Sequence, residues 1–437
     1  MNSKTDDEFR LGKLPQRSRN ARIVVAFSGG MDSTVLLHAL SSRNPRNLCA
    51  VHVHHGLQAQ ADQWAAHCGR VCTALDVPLQ VQHVIVRTAG KGLEAAAREA
   101  RYSAFSDAMR KGDVLVTAHH LEDQAETVLM RLLRGSGTRG MAAMRESVPL
   151  HPGVLWRPLL RVSRSQIARY AQVHALEWID DPHNQNPDLA RSYLRHEILP
   201  RLQAHWPGAA GNLSRFSELS ADADEILREV AELDFHECTA PGGPLPIEVL
   251  KKMTRARRHN LLRHWVEHAQ LPPPFQDSLD RLDQEVMGAA QDADPVLNWP
   301  GAQIRRYRNY LFVMAPLPDA PLSFSQTWDG CCELVLPQGC GRLRPVSPPR
   351  RAVETVVRMA QSSDRFSPFG SSMSRTLKNL FQERGVPTWV RARTPVVERE
   401  GRLIWVGGLG WASGRDWTGL RTEIQWADAP PAAIAVE

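Results

Sequence analysis

Three separated stretches of the chain carry side chains whose types and spacing could do chemistry. The first is Ser28-Gly29-Gly30-Met31-Asp32-Ser33, which follows the β-branched run Ile23 to Phe27 and precedes Thr34 to Leu40, apolar at helical spacing. A strand, a glycine turn and a helix N-terminus make an anion site, because backbone N–H groups and the positive end of the helix dipole converge there. The glycines let the backbone come close to a ligand, and Asp32 or Ser33 could cap the helix. The run is neither G-x-x-x-x-G-K-[ST] nor G-x-G-x-x-G. A carboxylate at Asp32 beside a phosphate makes sense only with Mg²⁺ between them, since like charges repel. The second stretch, His119 to Glu126, places Asp123 and Glu126 at i,i+3 on one helix face. Two acids there suit a second Mg²⁺ anchor or a base, and they equally suit the positive end of a helix. The third is His54-His55-Gly56. The adjacent pairs His54-His55 and His119-His120 lack ordinary metal-ligand spacing, and no metal site is assigned to them. Arg98 and Arg101, with Glu94 a turn earlier, read as a surface helix with ion pairs or as part of a site.

The elements that must position these groups alternate. Strands are expected at Ile23 to Phe27, Leu48 to Val53, Leu79 to Val86 and Val114 to Thr117. Helices are expected from Thr34, Gln58 to Leu75, Leu93 to Met109, and from His119 to about Arg134. This pattern predicts an α/β domain with a doubly wound parallel sheet, whose ligands bind beyond the carboxyl ends of the strands. All three chemical stretches fall at such ends. Further helices are expected at Ser163 to Ala175 and Leu189 to Leu202, and Gly135 to Gly140 reads as a flexible loop.

At 437 residues the chain is long enough for two or three domains. A flexible tail is expected over residues 1–20, the catalytic domain over 21–207, a small helical domain over 208–315 and an α+β domain over 327–437. From Asn298 onward Ile304 to Met314, Cys332 to Leu336 and Arg402 to Gly407 read as strands and Leu377 to Glu383 as a helix. A hydrophobic content of 43% and a charged content of 23% are ordinary for a globular protein. No apolar run is long enough to span a bilayer, so no membrane partner is expected. Seven cysteines without a disulfide-like spacing, Cys68 and Cys72 among them, fit the cytoplasm. The net charge of +6 is mild, but Arg255 to Trp265 and Arg342 to Arg351 are arginine clusters that suit a phosphate backbone or, for the first, a solvated helix face.

SGGMDS resembles the pyrophosphate loop (PP-loop) of ATP pyrophosphatases, of the adenine nucleotide α-hydrolase-like fold. Taken in order with VHVHHGL, GLEAAAREARY, AHHLEDQAET, LLRGSG, RPLL, WIDDPHN, LRHEILPRL, LKNLFQERGVPTWVR and RLIWVGGL, it resembles the tRNA(Ile)-lysidine synthetases over nearly the whole chain. The resemblance implies the following reaction. ATP adenylates the C2 oxygen of the wobble cytidine of the isoleucine tRNA with a CAU anticodon, and the ε-amino group of L-lysine then displaces AMP. It implies Asp32, Asp123 and Glu126 as the catalytic acids, ATP contacts from Ser28, Gly29, Gly30, Met31, Asp32, Ser33 and His54, and Mg²⁺ at Asp32. It further implies tRNA contacts from Arg191, Arg195, Arg375 and Lys378, and it accommodates a homodimer. Glu122, Ser192, Thr376 and Asn379 depart from the family's usual Asp, Asn and two lysines. The alternatives are a 2-thiocytidine synthetase, which needs cysteine pairs that this chain lacks, and a non-catalytic RNA-binding relative.

Overall fold

The computed structural model describes residues 9–16, 18, 20–43, 47–56, 60–86, 92–180, 190–238, 243–290, 293–346, 354–371, 373–413 and 424–431. Asp181 to Asn184, Ser347 to Arg351 and most of the expected tail therefore lie outside the described residues. Two compact units, Met1–Ile226 and Leu227–Glu437, divide the chain.

In the first unit β1 (Ile23–Ala26), α1 (Met31–Ser41), β2 (Leu48–His54), α2 (Ala61–Ala74), β3 (Leu79–His83), α3 (Leu93–Ala108), β4 (Val114–Val116) and α4 (Leu121–Leu133) alternate as expected. Then come α5 (Thr138–Met141), the hairpin of β5 (Ser147–Leu150) and β6 (Gly153–Trp156), and α6 (Arg164–Val173). The sheet order is β3-β2-β1-β4-β6-β5, parallel except for the edge strand β5. Side chains alternate across a strand. Ile23 and Val25 enter one core with α1, α2 and α6, while Val24 enters another with Phe105 of α3 and Met109 just after it. Burial on both faces is why β1 is a continuous apolar run. Strand order reverses at β1, with β2 on one side and β4 on the other, so the crevice opens above β1 and β4.

The segment expected as one helix over Leu189 to Leu202 is three: α7 (Ala190–Tyr193), a π-helical turn (Leu194–Ile198) and α8 (Leu199–His205). Gly135 to Gly140 is partly helical, and Arg131 ties it down by donating to the Gly140 carbonyl at 2.5 Å. The expected tail is not free at its described end. Phe9 stacks 4.3 Å from Tyr170, Leu11 is buried, and Gly12 N–H donates to Pro158 O at 2.8 Å. The unit boundary falls within α9 (Ala209–Cys238).

Up to Val286 the second unit is mostly helical, with Ile247–Lys252, Arg255–His268, Gln276–Arg281 and a π-helical turn Leu282–Val286 after α9, and strands join these helices before residue 315. Leu245–Pro246, Tyr310–Met314, Ala302–Tyr307 and Val296–Trp299 form a four-stranded antiparallel sheet. The run Ile304 to Met314 is a hairpin, because Arg308 takes a positive φ of 53° and reverses the chain. Phe312 and Met314 share one core with Leu377, Leu380, Phe381 and Trp389, so the prolines after residue 315 do not separate two cores. A five-stranded antiparallel sheet, running from Ser325–Trp328 to Gly410–Trp411 in sheet order, completes this unit with smaller ladders.

Candidate functional site

Gly29 adopts φ 83°, and a Cβ there would lie 3.0 Å from Cys68 Sγ, so both conformation and space demand glycine. The loop is tied internally. Ser33 Oγ donates to Gly30 O at 3.0 Å and lies 3.0 Å from Ser28 Oγ, and Ile179 N–H reaches Gly29 O at 2.9 Å. Asp32 and Ser33 do not cap α1 as expected. Gly30 is the N-cap residue and makes no side-chain cap bond, so the first-turn N–H groups stay available to an anion. From below, buried His52 donates through Nδ1 to Phe27 O at 2.9 Å, a support that no sequence signal marked.

Across the crevice, α4 begins with His120, whose ring is buried between three carboxylates. Its Nδ1 lies 3.0 Å from Glu122 Oε2, and its Nε2 lies 3.5 Å from Asp123 Oδ2 and 3.8 Å from Asp32 Oδ2. Burial disfavours the imidazolium, but Asp123, Glu122 and Asp32 outweigh it and hold the pKa above 6.5. Glu122 is fixed in turn by the first N–H of α6, donated by Arg164 at 2.9 Å. Neighbouring His119 is the opposite case. Burial drives its pKa down to about 3, and its Nδ1 pairs with Thr117 Oγ1 at 2.8 Å.

Behind Asp123, two arginines from the π-turn region close the site. Arg195 Nη2 and Arg191 Nη2 donate to Asp123 Oδ1 at 2.7 and 3.1 Å. Arg195 Nε donates to Glu126 Oε1 at 2.6 Å and Arg191 Nε to Glu126 Oε2 at 2.7 Å. Burial alone would raise the Asp123 pKa, but His120, then Arg191, His119 and Arg195, pull it down to about 2. For Asp32 burial dominates and raises the pKa. Its Oδ1 is buried without a hydrogen-bond partner, so a hard cation is the kind of group that fits there.

Asp32, Asp123 and the Ser28 to Ser33 loop thus converge, as expected. Glu126 lies with them, fully buried, and both its oxygens accept N–H groups from Arg191 and Arg195. Arg191 and Arg195, expected on tRNA, give their N–H groups to these acids. His54 ends β2, on the side of β1 away from β4, with its Nε2 3.0 Å from Asp62 Oδ1 and its ring 4.6 Å from His83. In the second unit Arg375 donates to both oxygens of Glu383 at 2.7 Å, and Lys378 is exposed on Leu377–Glu383. Sequence reasoning considered His120 and Glu122 but assigned neither to the site, although the run His119-His120-Leu121-Glu122-Asp123 at a helix start held the signal.

The PP-loop domain family matches residues 3–202, the TilS substrate binding domain family residues 245–312 and the TilS substrate C-terminal domain family residues 355–426. The tRNA(Ile)-lysidine synthase of Xanthomonas axonopodis pv. citri is 42% identical over 94% of this chain and 93% of its own. The chain belongs to the tRNA(Ile)-lysidine synthase family. Family members of the same name from Pseudomonas aeruginosa (41% identical; 88% of this chain and 89% of that one) and Escherichia coli O157:H7 (40%; 89% and 92%) are similar over almost the same span. Among the described residues, no helix is long and apolar enough to cross a membrane.

Proposed function

We propose that this chain ligates L-lysine to C2 of the wobble cytidine of the isoleucine tRNA with a CAU anticodon, at the expense of ATP, which becomes AMP and pyrophosphate. One observation carries the reading: His120 links the Asp32 of an anion-binding turn to the Asp123 of an acid pocket in the same crevice. A reaction that activates an oxygen with a nucleotide and then brings in a cationic amine needs those two sites side by side. The backbone of Ser28 to Ser33 receives the phosphates, and Asp32 would hold Mg²⁺, which would supply neutralisation of phosphate charge. A carboxylate held near 2 orients an ammonium well and removes its proton poorly, so Asp123 takes the positioning of lysine. Arg191, Arg195 and Glu126 fix that carboxylate from behind. Free lysine, with a pKa near about 10.4, is almost wholly charged at neutral pH and suits such a site.

The remaining assignments belong to the same proposal. His54 contacts ATP from the rim, Arg375 and Lys378 contact tRNA, and the enzyme works in the cytoplasm beside its substrates. A homodimer is supported by α9, which exposes Leu219, Ile226 and Leu233 at seven-residue spacing.

The decisive experiment incubates the protein with ATP, radiolabelled lysine and that tRNA. Label in the tRNA is expected, and its absence with folded protein overturns the proposal. Asp32→Ala should abolish incorporation while leaving tRNA binding largely intact. Retained activity would remove Asp32 from the mechanism.

A further inference from the structure

Glu122 is a carboxylate at the crevice to which the proposed reaction gives no part. Its Oε2 accepts from two donors at once: His120, whose Nδ1 lies 3.0 Å away, and the Arg164 N–H at 2.9 Å. Arg164 is the first residue of α6, after the N-cap Ser163. An N–H in the first turn of a helix has no partner within that helix, so α6 offers a fixed donor there. Glu122 is thereby anchored to a helix other than its own, and it passes that anchorage to the buried His120 ring. A planar ring held at one nitrogen has the direction of the other set. Here Nε2 faces Asp123 Oδ2 at 3.5 Å and Asp32 Oδ2 at 3.8 Å.

The two acids depend on that ring unequally. Asp123 has other partners: Oδ1 accepts from Arg195 and Arg191 at 2.7 and 3.1 Å, and Oδ2 from the His120 backbone N–H at 3.0 Å. Asp32 has its Oδ2 against the ring and its Oδ1 buried without a hydrogen-bond partner. Among the described residues, His120 is the only basic side chain within 4 Å of it. A loosened ring therefore disturbs the nucleotide side of the crevice and spares the lysine side.

We propose that Glu122, clamped by the N-terminus of α6, is a positioning residue for adenylation: it fixes His120 and, through it, Asp32. This rests on the lysine-ligating reading above. In that step the C2 oxygen of the cytidine bonds to the α-phosphorus of ATP. The bond from that phosphorus to the β-phosphate oxygen breaks, and pyrophosphate leaves with the electron pair. The amine attack that follows relies on Asp123, which keeps its other partners.

The test follows single-turnover pyrophosphate release from ATP and the isoleucine tRNA without lysine. A second measurement adds lysine to tRNA already adenylated and records AMP release against lysine concentration. Glu122→Ala should release pyrophosphate about ten- to a hundred-fold more slowly, while the half-saturating lysine concentration stays that of the unaltered chain. Glu122→Gln, whose carbonyl oxygen can accept both N–H groups, should recover most of the rate. Arg164 probes the clamp without altering the acid. Proline fits the first position of a helix but has no N–H. Arg164→Pro should therefore release pyrophosphate about ten-fold more slowly than Arg164→Ala, with similar thermal unfolding. If Glu122→Ala does not fold, the Arg164 pair decides. Equal rates for that pair, or a Glu122→Ala chain that slows neither step or both alike, overturn the proposal and leave the functional reading standing. If the unaltered chain releases no pyrophosphate and modifies no tRNA, both fall.

Discussion

In the proposed reaction Glu126 and its two arginines act through Asp123, without touching a substrate. Glu126→Ala leaves two guanidinium groups facing each other; they still reach water (29% and 26% exposed), so a loss of roughly 2–4 kcal/mol is expected in urea unfolding. Glu126→Gln keeps the shape and should cost less stability, yet lower lysine incorporation about ten- to hundred-fold by loosening Asp123. His120 gives a pH signature. Its pKa is raised on folding, so its contribution to stability is complete below 6.5 and disappears as pH rises through the elevated value. The stability gap between wild type and His120→Gln, from urea unfolding at a series of pH values, should therefore shrink toward alkaline pH. Asp123 runs the other way: its contribution is present above 3.8 and vanishes as pH falls through about 2. The acids were legible in the sequence because i,i+3 spacing needs only local geometry. Their partners were not, because Arg191 and Arg195 come from 65 to 72 residues away.

At the scale of elements, the strands and helices of the first unit were readable because each is apolar on a fixed period and ends in turn residues. Where a period is interrupted, reading failed. The π-helical turn interrupts the helix between α7 and α8, a break that residue types do not announce. The hairpin at Arg308 escaped notice for a related reason, since its reversal uses a positive φ at arginine where glycine or asparagine is the usual marker. Close approach of backbones is equally silent. A Cβ on Gly153 of β6 would sit 2.0 Å from the Asp113 carbonyl, so Gly153→Ala should push β6 off β4 and lower the unfolding free energy by roughly 1–3 kcal/mol.

Over the whole molecule, a net charge of +6 says little about where RNA lies, because arginines that look available are occupied. Arg257, in the cluster that suited a phosphate backbone, holds buried Asp234, and Arg258 pairs with Asp283 at 2.6 Å. Lys378 is exposed and belongs to the proposed tRNA contacts, so Lys378→Ala should reduce the slope of log affinity against log salt by roughly 0.7–0.9. One feature of the first unit also supplies a clock. The Cys68 thiol lies beneath the Gly29 turn, wholly buried, with burial pushing its pKa up to about 12. A maleimide or disulfide reagent can reach it only when the turn lifts away, so its labelling rate reports how often that turn opens. Saturating nucleotide should slow the labelling of Cys68, which makes an inert sulfur a gauge of occupancy that needs neither tRNA nor lysine.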